Sequence, residues 1–259
     1  MVRMLAALAF LFASAANAAP GRVVSVNLCT DQLAMLIATP GQLVSVSWLA
    51  ADPSVSLMAE EARQVGLNHA GAEEIYLSRP DLVLAGPFAA RATVDMLTRL
   101  GIRVETVPPA NSVEDIRANI TLMGELLGQP DRAAGLLSQF DADLAALPKG
   151  RGKVATTYGA NSFANGAESL SADMMRRAGL VLLADRLGHS GGALALEQLV
   201  MAEPEMLIIG SRYETPSRAE AIVDHPAIAA MTAERFMTAD RDWMCGLPAV
   251  TGTIARLAQ

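Results

Sequence analysis

GAEEIYLSRPDLVLAG (71–86) and ALEQLVMAEPEMLIIG (195–210) are two copies of one device, set in the two halves of a 259-residue chain. Register by register, Glu73 falls on Glu197, Ile75 on Leu199, Leu77 on Met201, Pro80 on Pro204, Asp81 on Glu205 and Gly86 on Gly210. Apolar positions 82–85 fall on apolar positions 206–209. In each copy, residues three and four apart pair as on a helix; Ile75 with Ser78 and Leu77 with Asp81 are examples. Proline at 80 or 204 cannot continue a helix and disfavours helix in the residue before it. LVLAG and MLIIG are short apolar runs closed by glycine, the pattern of strands buried on both faces of a parallel sheet.

The order of elements around the device also repeats. Each half opens on a β-like run after a basic residue, RVVSVNL from Arg22 and KVATTYGA from Lys153. Amphipathic stretches follow at 31–38 and 171–179, then second apolar runs at 42–49 and 179–185, then the device. After it come a helix (90–101) and a strand (102–108) in the first half. The second half gives SRAEAIVDHPAIAAM and then RFMTAD. Strands alternating with helices predict an α/β fold with a parallel sheet in each half, and repeats of this length are lobes rather than solenoid units. Between them SVEDIRANITLMGELL (112–127) begins at a capping serine, GQP interrupts, and DRAAGLLSQFDADLAAL (131–147) makes a second amphipathic helix. The fold expected is therefore α/β, with two Rossmann-like lobes joined by a single long helix of about 25 Å and a ligand cleft between them. The segments are a first α/β lobe over 20–111, a helical connection over 112–149 and a second α/β lobe over 150–259.

Residues 1–19 read as a signal peptide, with Arg3, a short apolar core and small residues before cleavage near Ala18 or Ala19. The apolar run is short for a membrane span, and the first cysteine, Cys29, stands too far on to be a lipid anchor. An exported, periplasmic protein is expected, and a monomer. A composition 52% hydrophobic and 18% charged is that of a globular chain. A net charge of −7 with no basic run speaks against nucleic acid as a partner.

At this point the chain resembles a known family, the class III periplasmic substrate-binding proteins of ABC importers, which bind cobalamin, ferric siderophores and haem. The residues that carry the resemblance are RVVSVNLCTDQLAMLIA, EEIYLSRPDLVLAG, LGIRVETVPPANSVEDI and LEQLVMAEPEMLIIG. The resemblance implies binding and handover without chemistry, a metal-chelate ligand in place of a resident cofactor, and an ABC permease with its cytoplasmic ATPase as partner. It also implies that Glu73 and Glu197 dock onto arginines of the permease, a role suited to bidentate Arg–carboxylate pairs. The same two residues also fit a plainer description, as solvated first-turn glutamates favoured by the helix dipole.

The ligand of such a fold sits at the carboxyl ends of the strands. That rule gathers Cys29, Trp48, Tyr158, Phe163, Arg241, Asp242, Trp243 and Cys245 as ligand-binding candidates. Four of the eleven aromatics fall at these strand ends, and flat apolar walls suit a large planar or macrocyclic ligand. Some of these aromatics can equally pack beneath the lobes. Arg241 is the cation expected to meet a carboxylate. Cys29 and Cys245 have three open states: a disulfide across the cleft, free buried thiols, or thiolate ligands to a metal centre. Among the histidines, His69 could reach the cleft mouth, and no HxxH or HExxH spacing occurs. Two alternatives remain, an exported enzyme and a metal chaperone or sensor on the same scaffold. The enzyme is disfavoured because the chain has no P-loop and no GxGxxG opening a helix after a strand.

Overall fold

The computed structural model describes residues 19–212, 215 and 217–259, so the signal-peptide reading lies almost wholly outside the described residues. Both halves are parallel sheets wrapped by helices. The first lobe holds β1 (Val23–Ser25), α1 (Leu28–Ile37), β2 (Leu43–Ser47), α2 (Ala59–Ala62), β3 (Gly66–Asn68), α3 (Ala72–Leu77), β4 (Leu82–Ala85), α4 (Arg91–Arg99) and β5 (Val104–Thr106). Its strand order is β3-β2-β1-β4-β5, parallel throughout. Helices α5 (Val113–Leu127) and α6 (Pro130–Ala145) follow.

The second lobe holds β6 (Val154–Thr157), β7 (Phe163–Ala164), α7 (Leu170–Arg177), β8 (Val181–Leu182), α8 (Leu183–Leu187), β9 (Gly192–Ala193), α9 (Leu196–Met201), β10 (Met206–Gly210), α10 (Pro226–Ala229), β11 (Glu234–Thr238) and α11 (Val250–Leu257). Its parallel sheet runs β8-β6-β10-β11. In each lobe the device strand, β4 or β10, lies between the lobe's first strand and its last. Among the described residues the second lobe has no counterpart of β3 in its sheet. The strand in that chain position, β9, pairs antiparallel with β7 instead.

The device is helix, break and strand, as its spacing predicts. Both residues before the prolines, Arg79 and Glu203, take left-handed backbone, with φ of 51° and 44°. The acid after each proline ties the lobe's first strand to the device strand. Asp81 Oδ2 accepts the Gly21 and Arg22 amides, each at 2.9 Å, and Glu205 Oε2 accepts the Val154 amide at 2.8 Å. Ile75 and Leu199, at matching positions, are both buried against their own sheets.

One apolar core runs through both lobes. Leu33 and Ile37 of α1, Ile116, Ile120 and Met123 of α5, Phe140 of α6, Met174 of α7 and Ile254 of α11 belong to it. Each sheet thus turns one face to the shared core, which α5 and α6 fill, and the other to a small cluster of its own. Ser112 Oγ accepts the Asp115 amide to start α5, and Gly128 ends it in left-handed backbone. Pro130 at the first position then opens α6, which is about 24 Å long from its 16 residues.

Two local readings change. Asn27, read as the end of the first strand, caps α1: its Oδ1 accepts the Cys29 and Thr30 amides at 3.1 and 3.4 Å. SRAEAIVDHPAIAAM is not one helix. Its Arg218–Asp224 portion is a 3₁₀ run, and α10 begins afresh at Pro226, whose ring cannot continue a helix from upstream.

Candidate functional site

The carboxyl ends of the two sheets meet. A cavity of about 280 Å³ is lined by Pro53 and Ser54 from beyond β2 of the first lobe. Its opposite wall is Ser211 and Arg212 after β10, with Ala239, Asp240 and Arg241 after β11. Arg241 reaches across, its Nη1 donating to the Pro53 carbonyl at 2.7 Å. Nearer the helical joint, about 240 Å³ is enclosed by Asn27, Cys29, Phe88, Pro108, Met244 and Gly246, among others. A third hollow, about 280 Å³, lies at the strand ends of the second lobe and is walled by Tyr158, Phe163, Arg212 and Trp243.

Trp48 stands at the end of β2, half exposed, and stacks on His69 from the end of β3, with ring centroids 6.3 Å apart and planes 21° apart. Phe163 is also half exposed, while Trp243 is partly buried against the shared core. Tyr158 is 1% exposed and its hydroxyl donates to the Leu194 carbonyl at 3.2 Å. It shapes the wall from beneath, the packing role the sequence left open for some of the aromatics. Asp242 turns to its own lobe, with Oδ2 2.9 Å from Arg256 Nη2 and accepting the Ala239 amide. It holds the turn that carries its neighbours Arg241 and Trp243.

Sequence reasoning missed two residues. Phe88, directly beyond β4 in GPF, is 89% exposed and lines the cavity near the joint. Arg212, directly beyond β10, gives the cleft a second guanidinium beside Arg241. The strand-end rule that found Trp48 would have found both had it been applied to the device strands.

Cys29 and Cys245 are bonded to each other across a sequence separation of 216. Neither sulfur is therefore a free thiol or a thiolate donor. The bond does not span the cleft mouth. It sits beside the joint: a Cβ placed on Gly246 would come 2.3 Å from Ala110 Cβ and 3.0 Å from Ile116 Cγ1 at the start of α5. A cross-link closing so long a loop contributes about 5 kcal/mol by chain entropy.

Asp31, in the first turn of α1, is fully buried. Burial pushes its carboxyl up to about 6, against hydrogen bonds that favour the charged form. Its Oδ2 accepts the Ser47 amide at 3.1 Å and the Ser47 hydroxyl.

With this geometry in place, comparison with known proteins is informative. A family model described as periplasmic binding protein matches residues 23–235. The chain belongs to the periplasmic binding protein family. Solved structures agree on the fold. The periplasmic haem-binding protein RhuT from Roseiflexus sp. RS-1 superposes with a TM-score of 0.74 at 17% identity, covering 92% of this chain and 96% of its own. The periplasmic vitamin B12 binding protein BtuF of Vibrio cholerae gives 0.67 at 14%, covering 92% and 95%. An ABC-type Fe3+-hydroxamate transport system protein from Saccharomonospora viridis gives 0.68 at 18%, covering 92% of each chain. No curated protein matches significantly by sequence. The family and these neighbours are binding proteins, and members of the family serve ABC importers.

Proposed function

We propose that this periplasmic binding protein captures a metal-chelate ligand (a corrinoid, a ferric siderophore or haem) between its lobes and delivers it to an ABC permease in the cell envelope. The observation that carries the reading is the meeting of two sets of strand ends, with exposed or partly buried aromatic rings on both lobes. Trp48 and Phe88 come from one lobe, Phe163 and Trp243 from the other. Flat apolar groups with a few polar partners suit a large, rigid ligand that brings its own metal. Arg241 supplies a cation for carboxylate or carbonyl groups on the ligand's rim, and Arg212 lines the same cavity paired with Asp224.

Docking rests on the repeat. Glu73 is the second residue of α3 and Glu197 the second of α9, and both are exposed. Four residues on, at matching positions, stand Leu77 and Met201, 70% and 83% exposed. Residues four apart lie on one helix face. Each lobe therefore offers an acid beside an apolar side chain, which suits a partner that presents a cation beside an apolar socket twice. A signal peptide at 1–19 fits the same role.

The test is uptake. Deleting the gene in the source organism should abolish high-affinity uptake of one ligand class among cobalamin, haem and ferric hydroxamates, and the wild-type gene should restore it. Unimpaired uptake of all three classes would sink the importer reading and favour the chaperone alternative.

A further inference from the structure

After β11 the chain does not stay on its own lobe. The segment 239–249 leaves the second sheet, turns at Asp240–Asp242, and touches the first lobe at three points before α11 returns it to the second. Arg241 bonds the Pro53 carbonyl, Cys245 is bonded to Cys29 at the start of α1, and Gly246 sits against Ala110 and Ile116. Both ends remain fixed to the second lobe. At one end β11 pairs with β10 over five residues. At the other, Asp242 holds Arg256 of α11. Only six residues separate Thr238, the last of β11, from Cys245. The lobes are thus joined twice, once by α5 and α6 and once by this short strap.

We propose that the Cys29–Cys245 disulfide is a positioning device that fixes the strap to the first lobe, limits how far the lobes part, and holds Arg241 and Trp243 in the wall that retains ligand. A hinge moves by changing a few backbone angles. A covalent bond beside the hinge leaves the far ends of the lobes some travel but removes the travel of everything attached to it. The strap carries two of the residues that line the cleft, so ligand retention depends on it. This goes beyond the binding reading, and its first readout does not depend on that reading.

The experiment compares the signal-free oxidised protein with the same protein reduced by a phosphine and with the Cys29→Ser/Cys245→Ser double variant. Hydrogen–deuterium exchange and small-angle scattering are read without ligand. The expected result is about tenfold faster exchange at the Met244 and Leu247 amides, since local opening sets that rate, with β6 and β10 unchanged and a larger radius of gyration. Release of hemin, cyanocobalamin or ferrioxamine B, whichever binds, should quicken about tenfold, as affinity differences between related complexes lie mainly in dissociation. If the double variant fails to fold, Arg241→Ala in the oxidised protein tests the strap's other anchor by the same readouts. Unchanged exchange at 244–247 with an unchanged radius overturns the proposal. So does faster exchange with unaltered ligand release, which leaves the bond a structural staple. If none of the three ligands binds, the failure belongs to the binding reading, while exchange and scattering still decide the strap.

Discussion

The two lobes are built from one plan and wired differently, and the differences separate what the fold requires from what this protein adds. The fourth residue of the first helix is an aspartate in both, Asp31 in α1 and Asp173 in α7. Asp173 has a cation, with Arg177 Nε at 2.9 Å, and also accepts the Val113 amide. Asp31 is buried with serine partners, and among the described residues no cation is bonded to it. The basic residue before the first strand diverges as well. Arg22 donates to the Ser78 and Arg79 carbonyls and so closes the end of α3, whereas Lys153 pairs with Glu234 on the edge strand β11. The glycine that closes the device is tight in one lobe and roomy in the other. A Cβ on Gly86 would lie 2.7 Å from Asn27 Nδ2, whereas on Gly210 nothing comes nearer than 4.0 Å. What stays constant is the buried apolar residue of the device helix, the left-handed residue before proline, the acid after it, and an exposed glutamate at the helix start.

That constancy makes the largest expected effect the one on docking. Glu73→Ala with Glu197→Ala should lower uptake at least tenfold while ligand affinity in solution is unchanged. Loss of charge pairs at an interface acts on association with the partner, not on the cleft. The single variants should each give a part of the loss. Equal parts would mean that the lobes dock equivalently, and an unaffected double variant would break the comparison. Leu77→Ser with Met201→Ser should add a smaller loss in the same assay.

Next in size is the pH response of Asp31. Its folded value, about 6, lies above the ordinary 3.8. The native state then holds the proton more tightly than the unfolded chain does. The group is least costly below about pH 4, its penalty grows as pH rises through 6, and it levels off at about 3 kcal/mol above that. Asp31→Asn should therefore gain on wild type as pH rises from 4 to 7 in denaturant melts. A pH-independent difference would show that burial is not what burdens this carboxyl.

Gly86→Ala should cost about 2 kcal/mol by crowding Asn27, and Gly210→Ala less than about 0.5 kcal/mol. Equal costs would mean that the close approach at Gly86 relaxes freely. Smallest is the acid of the device. Asp81→Ala loses two exposed amide bonds and Glu205→Ala one, so about 1 and about 0.5 kcal/mol are expected from thermal melts.

Most of the fold was legible because apolar runs and proline breaks are local signals that the sheet merely assembles. The strand LVLA of β4 is buried at every position, and no polar alternation was there to mislead. The loss of a β3 counterpart in the second lobe was not legible, because whether Gly192–Ala193 joins the main sheet or pairs with Phe163–Ala164 depends on tertiary contacts. At the site, the strand-end rule pointed to Trp48, Phe163, Arg241 and Trp243: Arg241 lines the cavity between the lobes, Phe163 and Trp243 line the hollow of the second lobe, and Trp48 stacks on His69 at the first lobe's strand ends. It could not tell that Tyr158 would turn inward, because one residue past a strand end the side chain can face core or cleft with equal sequence cost. The cysteines were legible as a puzzle and not as a bond. Pairing across a separation of 216 depends on a path back to the first lobe that no local pattern announces.

Binding between the lobes is tested most directly by the two tryptophans, Trp48 at the end of β2 in the first lobe and Trp243 in the wall of the second lobe's hollow. The Trp48→Phe and Trp243→Phe variants of the signal-free protein each keep a single reporter. Each would be titrated with hemin, cyanocobalamin and ferrioxamine B under inner-filter correction. Saturable one-to-one quenching of both reporters by the same ligand, with matching midpoints, is the predicted result. Silence of both reporters to all three ligands, with no heat of binding by calorimetry, would contradict the account.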